Sequence, residues 1–183
     1  MKKNLTKKVF VSMSADVIHH GHINIIKEAR KYGDVIVGLL ADDVITKHKR
    51  LPYLTWINRK KIIENIKGVK RVFKQNEWEY VPSINSIKPD FLVHGNDWKN
   101  GPLKKLRSPA IKALKKFGGK LIEVEYTKGI SAMNYSLNQK LIGTTPEIRK
   151  ASLKKLIQYK DLVRIVETHN PLSALIVESL IIQ

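Results

Sequence analysis

The sequence predicts an α/β protein, a doubly wound parallel sheet of five strands with a helical C-terminal tail. Three observations lead there. Short apolar runs recur five times, at residues 8–13, 34–41, 69–74, 90–95 and 120–126. Stretches of helical length separate them, and alternation of this kind points to parallel strands joined by right-handed crossovers. A histidine-rich segment, Asp16-Val17-Ile18-His19-His20-Gly21-His22, stands at the end of the first run, where such a sheet opens its ligand crevice.

Each element has its own justification. Val9-Phe10-Val11-Ser12-Met13 reads as a buried strand, and Ile23, Ile26 and Ala29 follow at helical spacing, giving a helix over 21–32. The second strand ends at Asp42-Asp43, and Asp42 to Arg50 is expected as a loop at its carboxyl end. Further helices are expected at 55–67, 80–87 and 102–117, the last stopped by Gly118-Gly119. Around Gly143-Thr144-Thr145-Pro146 the alternation ceases, which divides the chain into a domain over 1–143 and an appendage over 144–183. The appendage is expected to carry helices at 146–158 and 160–167, followed by an apolar end from Ala174 to Gln183.

Composition narrows the function classes. Lys plus Arg number 34 against 16 Asp plus Glu, a formal charge of +18, which favours an anionic ligand. The lysines are scattered over every expected helix with few aromatics among them, and no nucleic-acid-binding motif appears, so a solvated lysine-rich surface is the first reading, phosphate-ligand steering the second and nucleic acid the last. No apolar run approaches the ~20 residues of a membrane span, and the lysine-rich start lacks a signal-peptide core, so a cytoplasmic protein without a membrane partner is expected. The absence of cysteine excludes disulfides, thiolate metal sites and cysteine nucleophiles.

The histidines would flank a helix N-terminus, whose free N–H groups and positive dipole end favour phosphate, with Gly21 allowing close approach. Single histidines in such places also serve as caps or core residues. Zinc binding by His20 and His22 is a further alternative, but no second ligand cluster is evident and no metal ligand is assigned. The pattern His19-x-Gly21-His22, with Asp16 three residues ahead, resembles the signature of the nucleotidyltransferase superfamily that includes the cytidylyltransferases. That resemblance implies a Rossmann-like fold. It also implies catalytic roles for His19 and His22 on triphosphate oxygens, and nucleotide contacts from Ser14, Ala15, Asp16 and Gly21.

Three more segments resemble the same superfamily, in chain order. Lys47-His48-Lys49 and Arg59 match a K-x-K loop followed by a helix arginine, implying catalysis by Lys47 and Arg59 and nucleotide binding by Lys49. Read alone, that run is a solvated basic loop. His94-Gly95-Asn96-Asp97-Trp98 is similar to a G-x-D-W segment near the nucleotide base, implying roles for Gly95, Asp97 and Trp98, although Trp98 also fits ordinary packing. Asn96 stands where many members carry a second Asp. Tyr126-Thr127-Lys128-Gly129-Ile130-Ser131 resembles R-T-x-G-I-S, implying outer-phosphate contacts from Thr127, Gly129, Ile130 and Ser131. Tyr126 replaces the usual Arg, and Ala132-Met133 replaces hydroxyl residues.

The appendage adds a branch within the superfamily. Glu167-Thr168-His169-Asn170, followed by Leu172-Ser173, resembles the E-A-H-N-G-L-S opening of phosphoenolpyruvate mutases, which in bifunctional proteins of phosphonate biosynthesis follows a cytidylyltransferase domain. The mutase barrel is absent from these 183 residues, and no mutase activity is assigned. The resemblance implies transfer of CMP from CTP to 2-hydroxyethylphosphonate or 2-aminoethylphosphonate, with Mg²⁺ bridging the phosphates, pyrophosphate as leaving group, and a homodimer. Phosphoethanolamine or a polyol phosphate is the alternative acceptor. A non-catalytic basic nucleic-acid-binding module is the alternative of another class.

Overall fold

The computed structural model describes residues 6–99, 103–125, 146–164 and 166–179. Five parallel strands, β1 (Lys8–Met13), β2 (Asp34–Leu40), β3 (Val69–Gln75), β4 (Phe91–Gly95) and β5 (Lys120–Val124), line up in the order β3-β2-β1-β4-β5. The winding runs from β1 outward to β3, then crosses β1 to reach β4. The crevice at the reversal therefore opens between the carboxyl ends of β1 and β4. The expected doubly wound sheet is the observed one, and its Rossmann-like form follows from the same order.

The pleat divides the core. Val9, Val11 and Met13 face one way and pack with Ile26 and Ala29 of α1 (His20–Ala29) and Ile63 of α3 (Trp56–Glu64). Phe10 faces the other way, against Ile84 and Ile87 of α4 (Val81–Ile87) and Ala113 and Leu114 of α5 (Lys104–Lys115). Strands covered on both faces read as nearly continuous apolar runs, which is why they stand out in the sequence. Two glycines are needed for close approach. Gly33 has φ +154°, and a Cβ there would lie 2.1 Å from the Lys7 carbonyl oxygen, next to the Asp34 N–H bond to that oxygen. At Gly38 a Cβ would come within 2.6 Å of the Gln75 side-chain oxygen.

Two expectations change. Residues Asp42–His48 form a short helix, α2, where a loop is expected. Asp42 and Asp43 occupy its first turn and favour its dipole, Thr46 Oγ1 donates to the Asp42 carbonyl at 2.7 Å, and Val44 and Ile45 are buried against Leu40. Residues 160–164 and 166–167 do not form the expected helix: Leu162 and Val166 stay 69% and 50% exposed, so the apolar face of the pattern has no core to meet, and helical spacing alone does not fold so short a segment. The appendage has its first helix where expected, α6 (Pro146–Tyr159), and a further one, α7 (Pro171–Ser179), in the segment that follows. Asn170 caps α7, its Oδ1 accepting from the Ser173 N–H at 2.9 Å while its own N–H donates to Ser173 Oγ at 3.2 Å. Among the described residues, no helix is long and apolar enough to cross a membrane.

Candidate active site

The β1–α1 junction forms the floor of the crevice. After Met13 the chain turns through Ala15, which is fully buried at φ +49°, a conformation costing a non-glycine residue roughly 1–2 kcal/mol. His19 then stands at the N-cap of α1 with extended backbone, and the imidazoles of His19 and His22 lie with centroids 4.0 Å apart. The His19 N–H donates to His22 Nδ1 at 3.4 Å, and the His22 N–H donates to the His19 carbonyl at 3.0 Å. An accepting Nδ1 is unprotonated, so neutral His22 carries its proton on Nε2, ready to donate. Burial, helped by the charges of His19 and Lys49, pushes the His22 pKa down to about 4, against the bond to the His19 backbone. His19 is also lowered, by burial and then by His20. Its Nδ1 is buried with no hydrogen-bond partner. Two neutral imidazoles at a helix N-terminus, one with an unused buried nitrogen, form a site that gains from a phosphate.

A second layer ties the segments around this floor. Asp16 is buried, its Oδ1 accepting from the Leu54 N–H at 3.0 Å and its Oδ2 lying 2.6 Å from Arg50 Nη2. Arg50 stacks on Tyr53 at 3.8 Å. Arg59, on α3, is fully buried. Its Nε donates to the Leu54 carbonyl at 3.2 Å, Nη1 to the Ser14 carbonyl, and Nη2 to the Leu40 carbonyl at 2.8 Å and to Asp42 Oδ1 at 2.6 Å. Asp42 Oδ2 accepts from the Trp56 N–H at 3.0 Å. One guanidinium thus fastens the ends of β1 and β2, the start of α2 and the loop before α3.

Across the crevice, β4 ends in His94-Gly95 and a 3₁₀ turn, Asn96–Lys99. Trp98 is fully buried, stacked on His94 at 4.0 Å and 11°, edge-on to Tyr80, with Nε1 donating to Glu123 Oε1 at 2.9 Å. Glu123 also meets Arg107 at 3.0 Å and Lys99 at 2.9 Å, and these donors hold its carboxyl down at about 2. Asp97 remains exposed toward the crevice side of the turn.

The site residues expected from the sequence divide into three groups. His19, Gly21, His22, Lys49, Gly95 and Asp97 come together: Lys49 sits on the strap after α2, and its ammonium acts electrostatically on His22, His94 and Asp97. Burial of that ammonium end lowers its pKa, opposed by Asp97 and reinforced by Arg50, although the residue as a whole is exposed. Ser14, Ala15, Asp16, Arg59 and Trp98 lie beneath the surface and are engaged with protein groups. Lys47 points elsewhere, lining an open polar cavity of about 520 Å³ with Asp43, Lys74, Tyr159 and Asp161. Thr127, Gly129, Ile130 and Ser131, with Tyr126, Ala132 and Met133, lie outside the described residues. Sequence reasoning missed Asp42, Arg50 and Tyr80. Their partners lie 17, 34 and 14 residues away, at separations that carry no periodic signal.

Among known proteins, the chain is 40% identical over 86 residues to the ethanolamine-phosphate cytidylyltransferase of Mus musculus, covering 45% of this chain and 21% of that one. It is 34% identical over 91 residues to an FAD synthase of Ferroglobus placidus, covering 50% of this chain and 60% of the relative. It is 33% identical over 95 residues to a glycerol-3-phosphate cytidylyltransferase of Bacillus spizizenii, covering 51% and 74%. The matched region thus spans about 60% of the FAD synthase and a smaller share of the mouse protein. Among solved structures, a lipopolysaccharide core biosynthesis protein of Thermoplasma volcanium aligns with TM-score 0.58 at 23% identity, over 67% of this chain and 99% of its own. Pantothenate synthetase of Thermus thermophilus aligns at 0.53 and 16% identity, over 80% and 64%. Both likenesses concern the fold. The model of the cytidylyltransferase-like family matches residues 14–149, from the turn that precedes the histidines into α6, and the chain belongs to that family.

Proposed function

We propose that the protein is a nucleotidyltransferase that moves CMP from CTP, bound as its magnesium complex, to a small alkylphosphonate, 2-hydroxyethylphosphonate or 2-aminoethylphosphonate. The observation that carries the transferase reading is the meeting of His19, His22 and Lys49 at the N-terminus of α1, beside the switch point of the sheet. An oxygen of the acceptor attacks the α-phosphorus, a new P–O bond forms, and the bond to pyrophosphate breaks. An acceptor dianion needs no base. The residues' work is to place and neutralise charge: His22 donates from Nε2, His19 adds a second donor, and Lys49 balances the negative charge. Mg²⁺ enters on the triphosphate as part of the substrate. Arg59 acts in this reading through the strands it ties, and Trp98 supports the Asp97 turn from below. Lys47, turned from the crevice, has no direct part, and Thr127, Gly129, Ile130 and Ser131 serve the outer phosphates. The active species is a homodimer.

The mutase-like appendage supports a phosphonate acceptor. A second reading, phosphoethanolamine, has its own support in the 40% identity to a protein named for ethanolamine phosphate. The two acceptors can share an ammonium end and differ in a P–C or P–O bond. Pyrophosphate release with CTP, Mg²⁺ and a panel of both compound classes tests them: release with phosphonates alone upholds the first, release with esters alone the second. No release with any acceptor refutes both.

A further inference from the structure

We infer that Tyr80 and His94 are positioning residues for the nucleotide, setting from beneath the sheet the turn over Gly95–Trp98. A chain of side-chain contacts crosses under the crevice. From β3, Gln75 donates to the Glu77 carbonyl at 3.0 Å and accepts from Ser12 Oγ of β1 at 2.8 Å. Ser12 adjoins the Tyr80 hydroxyl, which lies 2.8 Å from His94 Nε2, and His94 Nδ1 lies 2.8 Å from the Gly95 carbonyl. A carbonyl only accepts, so Nδ1 carries the proton and neutral His94 accepts at Nε2 from the Tyr80 hydroxyl. The ring is thereby fixed at both nitrogens, and Trp98 stacks on it in parallel. Tyr80 and His94 are both buried.

The arrangement is also sensitive to acid. Burial keeps His94 below its ordinary pKa, and Lys49 works the same way, while the Gly95 bond, Asp97 and Glu123 oppose it. Once protonated, His94 would hold the Asp97 carboxylate, 3.8 Å away, against itself. CTP binding is then expected to weaken as acid protonates His94. The Tyr80 oxygen can accept from the charged ring, and a charge-assisted bond is the stronger one, so its loss lowers the pH at which the weakening begins.

The inference rests on the proposed function, in which the Gly95–Trp98 turn meets the nucleotide. Its test is calorimetric titration of the full chain with CTP and Mg²⁺, without acceptor, across pH 5–8, on wild type, Tyr80→Phe and Ser12→Ala, followed by steady-state kinetics. Tyr80→Phe is expected to bind CTP about fivefold to tenfold more weakly at pH 7.5, the scale of one buried hydrogen bond. It should raise KM for CTP with little change in kcat or in KM for the acceptor, and shift the pH midpoint downward; Ser12→Ala should do the same more weakly. Wild type that binds no CTP overturns both this inference and the proposed function. Wild type that binds CTP, beside a Tyr80→Phe of equal affinity and unshifted pH profile, overturns this inference alone.

Discussion

Arg59→Met separates a positioning arginine from one that acts on the substrate. The substitution keeps the apolar stem and deletes a buried guanidinium that serves three carbonyls and a carboxylate. Three neutral acceptors at roughly 1 kcal/mol each and one charged pair at roughly 1.5–3 kcal/mol would total about 5 kcal/mol if additive. Removing one partner of a buried pair typically costs about 3–5 kcal/mol. Asp42 keeps its bond from Trp56 and is 23% exposed, so its carboxylate is not left wholly without a partner, and the lower half of that range applies. A loss of about 3–4 kcal/mol is expected. With a urea slope near 2 kcal/mol/M, the unfolding midpoint should fall by about 1.5–2 M. Arg59→Lys keeps the charge but lacks the fork that reaches four acceptors, and should lose about half as much. Turnover per folded molecule should fall less than tenfold in Arg59→Lys. An Arg59→Met protein whose midpoint moves by less than about 0.5 M while turnover collapses a hundredfold would refute this reasoning and put the guanidinium on the phosphates.

Other outcomes test the floor of the crevice. His19→Ala and His22→Ala should each lower kcat by about a hundredfold, the scale for one transition-state donor, as read by pyrophosphate release; near-normal turnover in both would make the pair structural. Lys49→Ala should raise KM for CTP by about tenfold or more, whereas Lys47→Ala, whose side chain lines a separate polar cavity, should change KM for CTP and for the acceptor by less than about threefold. Folding drops the His22 pKa from 6.5 to about 4, so the unfolded chain binds the proton more readily between those values. The contribution of neutral His22 is complete above about pH 6.5 and is lost as pH falls toward 4; urea midpoints measured at pH 7, 5.5 and 4.5 should therefore fall more steeply in wild type than in His22→Asn.

β1, β2 and β4 were legible because each is apolar enough to be covered twice, β3 and β5 because apolar residues recur between their charges, and the histidine turn because His19 and His22 lie within one helical turn. What escaped was set by contacts between distant segments. The run Asp42-Asp43-Val44-Ile45-Thr46-Lys47-His48 ends in charges and reads as a loop, yet burial of Val44 and Ile45 beside Leu40 folds it as α2. That helix sends Lys47 away from the crevice and leaves Lys49, on the following strap, inside it. Residues 160–167 erred the other way, with a helical pattern lacking a surface to meet. Arg59 was visible as a basic residue opening a helix. Its burial depends on three carbonyls that only the folded chain brings together.

β1 occupies the middle of the sheet, with two strands on either flank, and the histidine turn issues directly from it. Fraying that begins at either margin must strip away two neighbours before it disturbs the imidazoles. The strap after α2 belongs to no strand, so substitutions there can shift Lys49 and the charge it sets beside the imidazoles while the sheet stays in register.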